Sequence, residues 1–314
     1  MKKSLRILMV AVIAISVTFT SCKKADKDTD NTDQLTTHSE DQSRFSNETD
    51  ASLNDENAAI ESYTAFTGRP QNVLAPPCDA TILLDSTATL RRITITYNGI
   101  QCPGALRIRT GTVVLTMPLG QHWRDQGAVL TTTITNFKIT RVSDNKSITI
   151  NGVRYNTNVT GGRLIFLGAP GGLTQIIHEI TSQNMSVTFD DGSVRTWQVG
   201  KRRTFTGNFN TNTMVITTIG IHTDGLITGI SEWGTNRFGN AFVTSITQPM
   251  VIRQDCGFRL TGGQVTHQRL LATAVVTFGL DVTGAAVACP VGVYYLKIVW
   301  TNSNGVIRTV ILPY

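Results

Sequence analysis

The chain has 314 residues, a formal net charge of +6 and five cysteines. That length is ample for one large domain, and a 40% share of hydrophobic residues excludes a wholly disordered chain. The charge is divided along the chain: residues 23–75 carry eleven acids against five bases, a net of −6, while residues 76–314 carry sixteen Arg and four Lys against eleven acids, a net of +9.

Residues 1–22 read MKKSLRILMVAVIAISVTFTSC. Lys2, Lys3 and Arg6 precede an apolar run from Ile7 to Val17 that is too short to cross a bilayer as a helix. A basic start, a short apolar core and small residues before a cut form a secretory signal. The cut here falls at T-F-T-S-C, which resembles the loose lipobox of bacterial lipoproteins, particularly those of the Bacteroidota. The resemblance implies removal of residues 1–21 and lipid on the sulfur and amine of Cys22. Each buried methylene adds about 0.8 kcal/mol, so two or more chains give a stable anchor.

Residues 22–75 are expected to form a lipidated, disordered tether, because a polar segment buries too little surface to offset the entropy of ordering. Acids soon after Cys22 resemble a surface-export signal, although Lys23, Lys24 and Lys27 interrupt them. Leu53, Ile60, Tyr63 and Phe66 share a helical face, with Gly68 and Pro70 beyond it. That spacing predicts one short helix over 53–66.

Residues 76–314 are rich in Thr, Val and Ile, in short runs ended by Gly, Asn-Gly or Asp-Gly. β-Branched side chains suit a pleated surface. The expectation is an all-β domain, an antiparallel β-sandwich or an extended β-meander of fourteen to seventeen strands. Alternation is legible in ITITY at 93–97 and YYLKIVWT at 294–301. The parity of apolar residues changes at Asn136, which suggests a bulge. Asn151-Gly152, Asp191-Gly192 and Asn304-Gly305 read as hairpin turns. A soft boundary is placed at residues 207–213.

With Cys22 assigned to lipid, Cys78, Cys102, Cys256 and Cys289 remain, an even number in an exported chain. Pairing neighbours closes the shortest loops, so the expected bridges are Cys78–Cys102 and Cys256–Cys289. There is no C-x-x-C pair and no histidine at ligand spacing from a cysteine, so no metal and no cofactor is expected.

The sequence holds no nucleophile elbow, phosphate loop or paired metal-ligand histidines. Glu232, beside Trp233 in ISEWGTN, is the one acid next to a tryptophan in a strand-like context. His178 and Glu179 would face opposite sides of one strand. A strand through RTWQVGKRR would set Arg195, Trp197, Val199, Lys201 and Arg203 on one face. Arg195, Trp197, Lys201, Arg203 and Trp233 are therefore the candidate binding residues, for an anionic envelope polymer or a glycan. The bland alternatives are a solubilising strand face and tryptophans that fill the core.

Three segments, TGTVVLTMPLGQHWRDQGAVLTTTITNFKITRVSDNKSITINGV, LITGISEWGTNRFGNAF and PMVIRQDCGFRLTGGQVTH, together with the lipobox, resemble a group of lipoproteins of the Bacteroidota that has no assigned activity. No residue inherits a role from it. The expected protein is lipid-anchored at the outer membrane, on the cell surface or the periplasmic face. Its partners are the membrane through Cys22 and a glycan or anionic polymer, and not nucleic acid. Its role is expected to be binding, adhesion or structure. The alternatives are a surface hydrolase acting on glycan or peptide, and a periplasm-facing lipid carrier or assembly factor.

Overall fold

The computed structural model describes residues 27–63, 66, 77–85, 87, 89–269, 272–289, 292–301 and 306–314. The signal segment, Cys22 and the Asn304-Gly305 turn lie outside the described residues. No described helix is long and apolar enough to cross a membrane.

A single helix, α1 (Lys27–Ser62), precedes fifteen strands. The strands are β1 (Ala80–Leu84), β2 (Leu90–Asn98), β3 (Arg107–Pro118), β4 (Ala128–Arg141), β5 (Ser147–Asn158), β6 (Gln175–Phe189) and β7 (Val194–Thr206). They continue as β8 (Val215–Gly220), β9 (His222–Asp224), β10 (Ile227–Thr235), β11 (Ala241–Arg253) and β12 (Arg259–Arg269). β13 (Ala272–Leu280), β14 (Tyr295–Thr301) and β15 (Ile307–Pro313) complete the sheet. All lie in one antiparallel sheet, with neighbours mostly in chain order. β8 and β10 sit end to end between β7 and β11. Of the two expected forms, the protein takes the meander. Hydrogen bonding runs through residues 207–213, which are the connection from β7 to β8.

The sheet bends along a row of bulges. Register slips occur at Gly111 in β3, Asn136 in β4, Gly152 in β5 and near Asn184 in β6. Asn136 and Asn184 adopt φ of 48° and 50°. The Asn136 N–H donates to Asn151 Oδ1 at 2.7 Å, linking the bulge to β5. The extra residue belongs to β4 at Asn136 and to β6 at Asn184, with Gly111 and Gly152 facing them, and because a bulge sharpens the twist of its strand the two crease the sheet. The parity change at Asn136 is thus a bulge, as its pattern suggests. Asn151-Gly152 is not a hairpin turn. It lies within β5 between two paired neighbours, where Gly152 has φ of 136° and a Cβ would stand 2.7 Å from the Met185 Cα. The Asp191-Gly192 turn does join β6 to β7.

The curled sheet closes around α1. From Thr37 to Tyr63 only Glu40 is exposed. This differs from the tether expected over 22–75, and the helix is far longer than the one expected over 53–66. Ser, Thr, Asn and Asp dominate α1, and their helix propensity is low. The helix is held by the sheet: Phe45, Leu53, Ala59 and Ile60 enter the first core, and ion pairs hold most of the rest.

Two apolar clusters result. The first joins α1 to β1–β7 and includes Trp123, Trp197, Phe137 and Phe242. The second draws on the ends of β6 and β7 as well as β8 and β11–β15, and includes Phe205, Ile216, Val276, Ile298 and Trp300. Disulfides Cys78–Cys102 and Cys256–Cys289 pair as expected, with Cα separations of 5.8 and 5.5 Å. The first ties the residues before β1 to the β2–β3 loop. The second ties the turn after β11 to the segment between β13 and β14.

Candidate functional site

The alternation of β7 puts Arg195, Trp197, Val199, Lys201 and Arg203 on one face, as the sequence reads. That face is the inner one, and each of the five is at most 5% exposed. The expectation that these side chains offer a surface to an anionic polymer is therefore corrected: the anion they meet is the chain's own helix. The acidic segment and the basic domain neutralise each other inside the molecule.

The contacts form a ladder along α1. Asp41 accepts from Arg237 at 2.7 Å, Glu48 from Arg107 at 2.8 Å and Asp55 from Arg109 at 2.6 Å. These acids are seven residues apart, a spacing that keeps them on one side of a helix. Glu56 pairs with Arg154, and Glu61 pairs with Arg163 at 3.0 Å. Arg109 is also held by Asp79 through two bonds of 2.6 and 2.7 Å. Gln42 and Asn54 take the two buried guanidinium groups of Arg195 and Arg203 at 2.6 and 3.1 Å. Arg195 also stacks over Phe242 and Phe45, 4.5 and 5.1 Å from their centroids.

Glu232, the acid that the sequence sets beside Trp233, lies at the centre of this interior. It is 1% exposed and pairs with Lys201. It accepts from Trp197 Nε1 at 2.9 Å, Ser46 Oγ at 2.7 Å and Gln42 Nε2. Burial favours the neutral acid, but Lys201 and these donors outweigh it and hold the carboxyl below its usual range. Burial likewise opposes the Lys201 charge and is overcome by Glu232. A carboxylate fixed as an anion by four donors is poorly suited to giving up a proton. Burial, foremost, and the nearby Arg237 charge push Arg195 down to about 10, against the attraction of Glu232 and Asp41.

Beside Glu232, the side chains of Ser43, Asp50, Lys201, Thr218 and His267 border an internal space of about 20 Å³. That is about the room of one water. His267 Nδ1 lies 2.9 Å from Thr244 Oγ1. Burial, foremost, pushes His267 down to about 4 and His178 to about 3, so both are neutral at pH 7. His178 and Glu179 do face opposite sides: His178 packs between Trp123 and Phe205, while Glu179 pairs outside with Arg202.

Trp233 is separated from the other candidates. It lies half-buried on the outer face of β10 and stacks on His222, with centroids 4.0 Å apart and planes 15° apart. Trp123, Trp197 and Trp300 fill cores. The residues that sequence reasoning missed are the helix acids Asp41, Glu48, Asp55, Glu56 and Glu61 and their partners Arg154, Arg163 and Arg237. The available signal was the −6 against +9 split in charge. No protein-family model, curated protein or solved structure matches the chain.

Proposed function

We propose that this is a lipid-anchored protein of the bacterial outer membrane with a non-enzymatic binding role, in which the anchor and the fold are one mechanical unit. The observation that carries the reading is the path of α1. It begins at Lys27, shortly after Cys22, and runs through the centre of the sheet. A lipid on Cys22 would therefore hold the domain by its core rather than by a loose tether. About 15 Å of helix runs from Lys27 to Thr37.

Two features favour binding over hydrolysis or lipid carriage. The polar interior is committed to ion pairs between helix and sheet, and the space at Glu232 is too small for a sugar ring or an acyl chain. The test is metabolic labelling with an alkyne palmitate, followed by fractionation of wild type and Cys22→Ala. Label and membrane pelleting that are lost together in the variant support the anchor. Unlabelled wild type in the soluble fraction overturns it.

A further inference from the structure

The strands alternate in direction, so the loops sort into two rims. Among the described residues, one rim carries the segments 99–106, 142–146, 190–193 and 236–240. The other carries 119–127, 159–174, 207–214, 254–258 and 281–289. The long connections are gathered on the second rim: 159–174 and 119–127 each exceed 99–106, the longest described on the first. Long loops on a rigid sheet are where binding residues concentrate.

The direction of α1 distinguishes the rims. Near its start, Asp41 pairs with Arg237 and His38 packs on Phe242, both at the short-loop rim. Near its end, Glu61 pairs with Arg163, and the Phe66 carbonyl accepts from the Trp123 N–H at 2.8 Å, both at the long-loop rim. An anchor at Cys22 therefore lies on the short-loop side, and the long loops point away from the membrane.

Those loops are braced to one another. The Gly162 N–H donates to the Arg124 carbonyl at 2.8 Å. Asn208 Nδ2 reaches the Gly168 carbonyl, and Asn210 Nδ2 the Ile165 carbonyl, both at 2.9 Å. Gln254 Nε2 donates to the Phe209 carbonyl at 3.0 Å. Cys256–Cys289 then joins 254–258 to 281–289. The rim is thus ordered before any partner arrives, which lowers the entropy lost on binding.

The rim carries ionic groups that are mostly paired with one another: Arg92 with Asp85, Arg124 with Asp125 and Arg253 with Asp255, while Arg163 is buried against Glu61, Arg91 donates to the Pro118 carbonyl at 2.9 Å and Asp281 accepts from Thr283 Oγ1 at 2.6 Å. None of these exposed groups lies in the stretches 164–174 and 207–213, which hold no charged residue. In those two stretches the surface is amide and hydroxyl, as in Thr211 and Asn212, beside the apolar side chains Phe166 and Leu173, each 43% exposed. The Arg163 guanidinium covers one side of the Phe166 ring at 4.9 Å. An exposed aromatic face flanked by neutral hydrogen-bonding groups suits the apolar face and hydroxyls of a sugar.

We propose that the long-loop rim is the ligand face and that it takes a neutral glycan, centred on Phe166, Leu173 and residues 211–212. This rests on the anchored binding role proposed above and names its partner. The test passes detergent-solubilised full chain over immobilised uncharged polysaccharides (glucan, mannan, galactan), with sulfated and uronic-acid polymers beside them. Retention on an uncharged polymer is expected, with at least a tenfold loss in Phe166→Ala and no change in Leu106→Ala on the opposite rim. Thr211→Lys, at an exposed turn, should weaken retention without loss of fold, as judged by its melting temperature. Retention on charged polymers alone, absence of retention, or an unaffected Phe166→Ala overturns the proposal. Palmitate labelling of the same preparation keeps the two readings apart: a labelled chain that binds no neutral glycan leaves the anchor standing and removes the rim.

Discussion

One sheet encloses two interiors of different kinds. Under β1–β7 the space is filled by α1, whose acids meet arginines of the sheet. Under β8 and β11–β15 there is an aliphatic and aromatic core, with Ile216, Val276, Ile298 and Trp300 in contact. The difference teaches how a strand face chooses its filling. Where the inward residues are Arg109, Arg154, Arg195 and Arg203, only an element bearing acids can close over them. Where they are Val and Ile, they pack on one another in a cluster that holds no residue of α1, although the helix runs beside them and sets His38 against Phe242 of β11 and His267 of β12. The apolar half gains from area removed from water. The ionic half depends on each charge keeping its partner, because the pair contributes little net stability while a lone buried charge costs several kcal/mol.

That contrast can be broken most sharply at Glu232. Glu232→Ala leaves Lys201 buried and unpaired, and about 3–5 kcal/mol should be lost. A fall in the urea midpoint no larger than that of a surface mutation would show that the ionic half relaxes or hydrates. In the apolar half, Ile298→Ala should cost about 2–5 kcal/mol through a cavity. Its loss should be insensitive to salt between low and molar concentrations, and a strong salt dependence would argue against the division drawn here.

Acid should separate the halves further. His178 and His267 have folded values near 3 and 4, well below the ordinary 6.5, chiefly through burial. The unfolded chain therefore takes up these protons first. Stability is complete above pH 6.5 and drains as the pH falls toward 4, by on the order of 3 kcal/mol for each ring. Asp41, Asp55 and Glu61 are raised by burial and pull the other way. Urea midpoints from pH 7.5 to 4.5 should decline in wild type and decline less in His267→Gln. A flat wild-type profile would contradict the burial of these rings. The smallest effect is expected outside the sheet: Glu179→Gln, which loses the exposed pair with Arg202, should change stability by less than about 1 kcal/mol in equilibrium unfolding.

Much of the sheet was legible. Period-two patterns gave the faces of β2, β4, β7 and β14, and the parity change at Asn136 located a bulge, because side-chain alternation is a local property of a strand. Gly152 was misread for an instructive reason. Asn-Gly suits a tight turn and a position facing a neighbour's bulge equally well, and only the strands on either side decide between them. The helix was legible only in part. Leu53, Ile60 and Phe66 carry a helical period, whereas 37–52 is polar enough to resemble a solvated tether. Its partners Arg237, Arg107 and Arg154 lie far away in sequence, so nothing local announces them.

By itself, the sequence determined the all-β class, the cysteine pairing and the membership of each strand face, since these follow from composition, spacing and alternation. It also carried the opposition of an acidic N-terminal segment and a basic domain. Only the tertiary structure decided that these two lie one inside the other. Whether an arginine face looks outward or inward depends on what covers it, and burial of a charge becomes tolerable only when a partner from a distant part of the chain arrives to meet it.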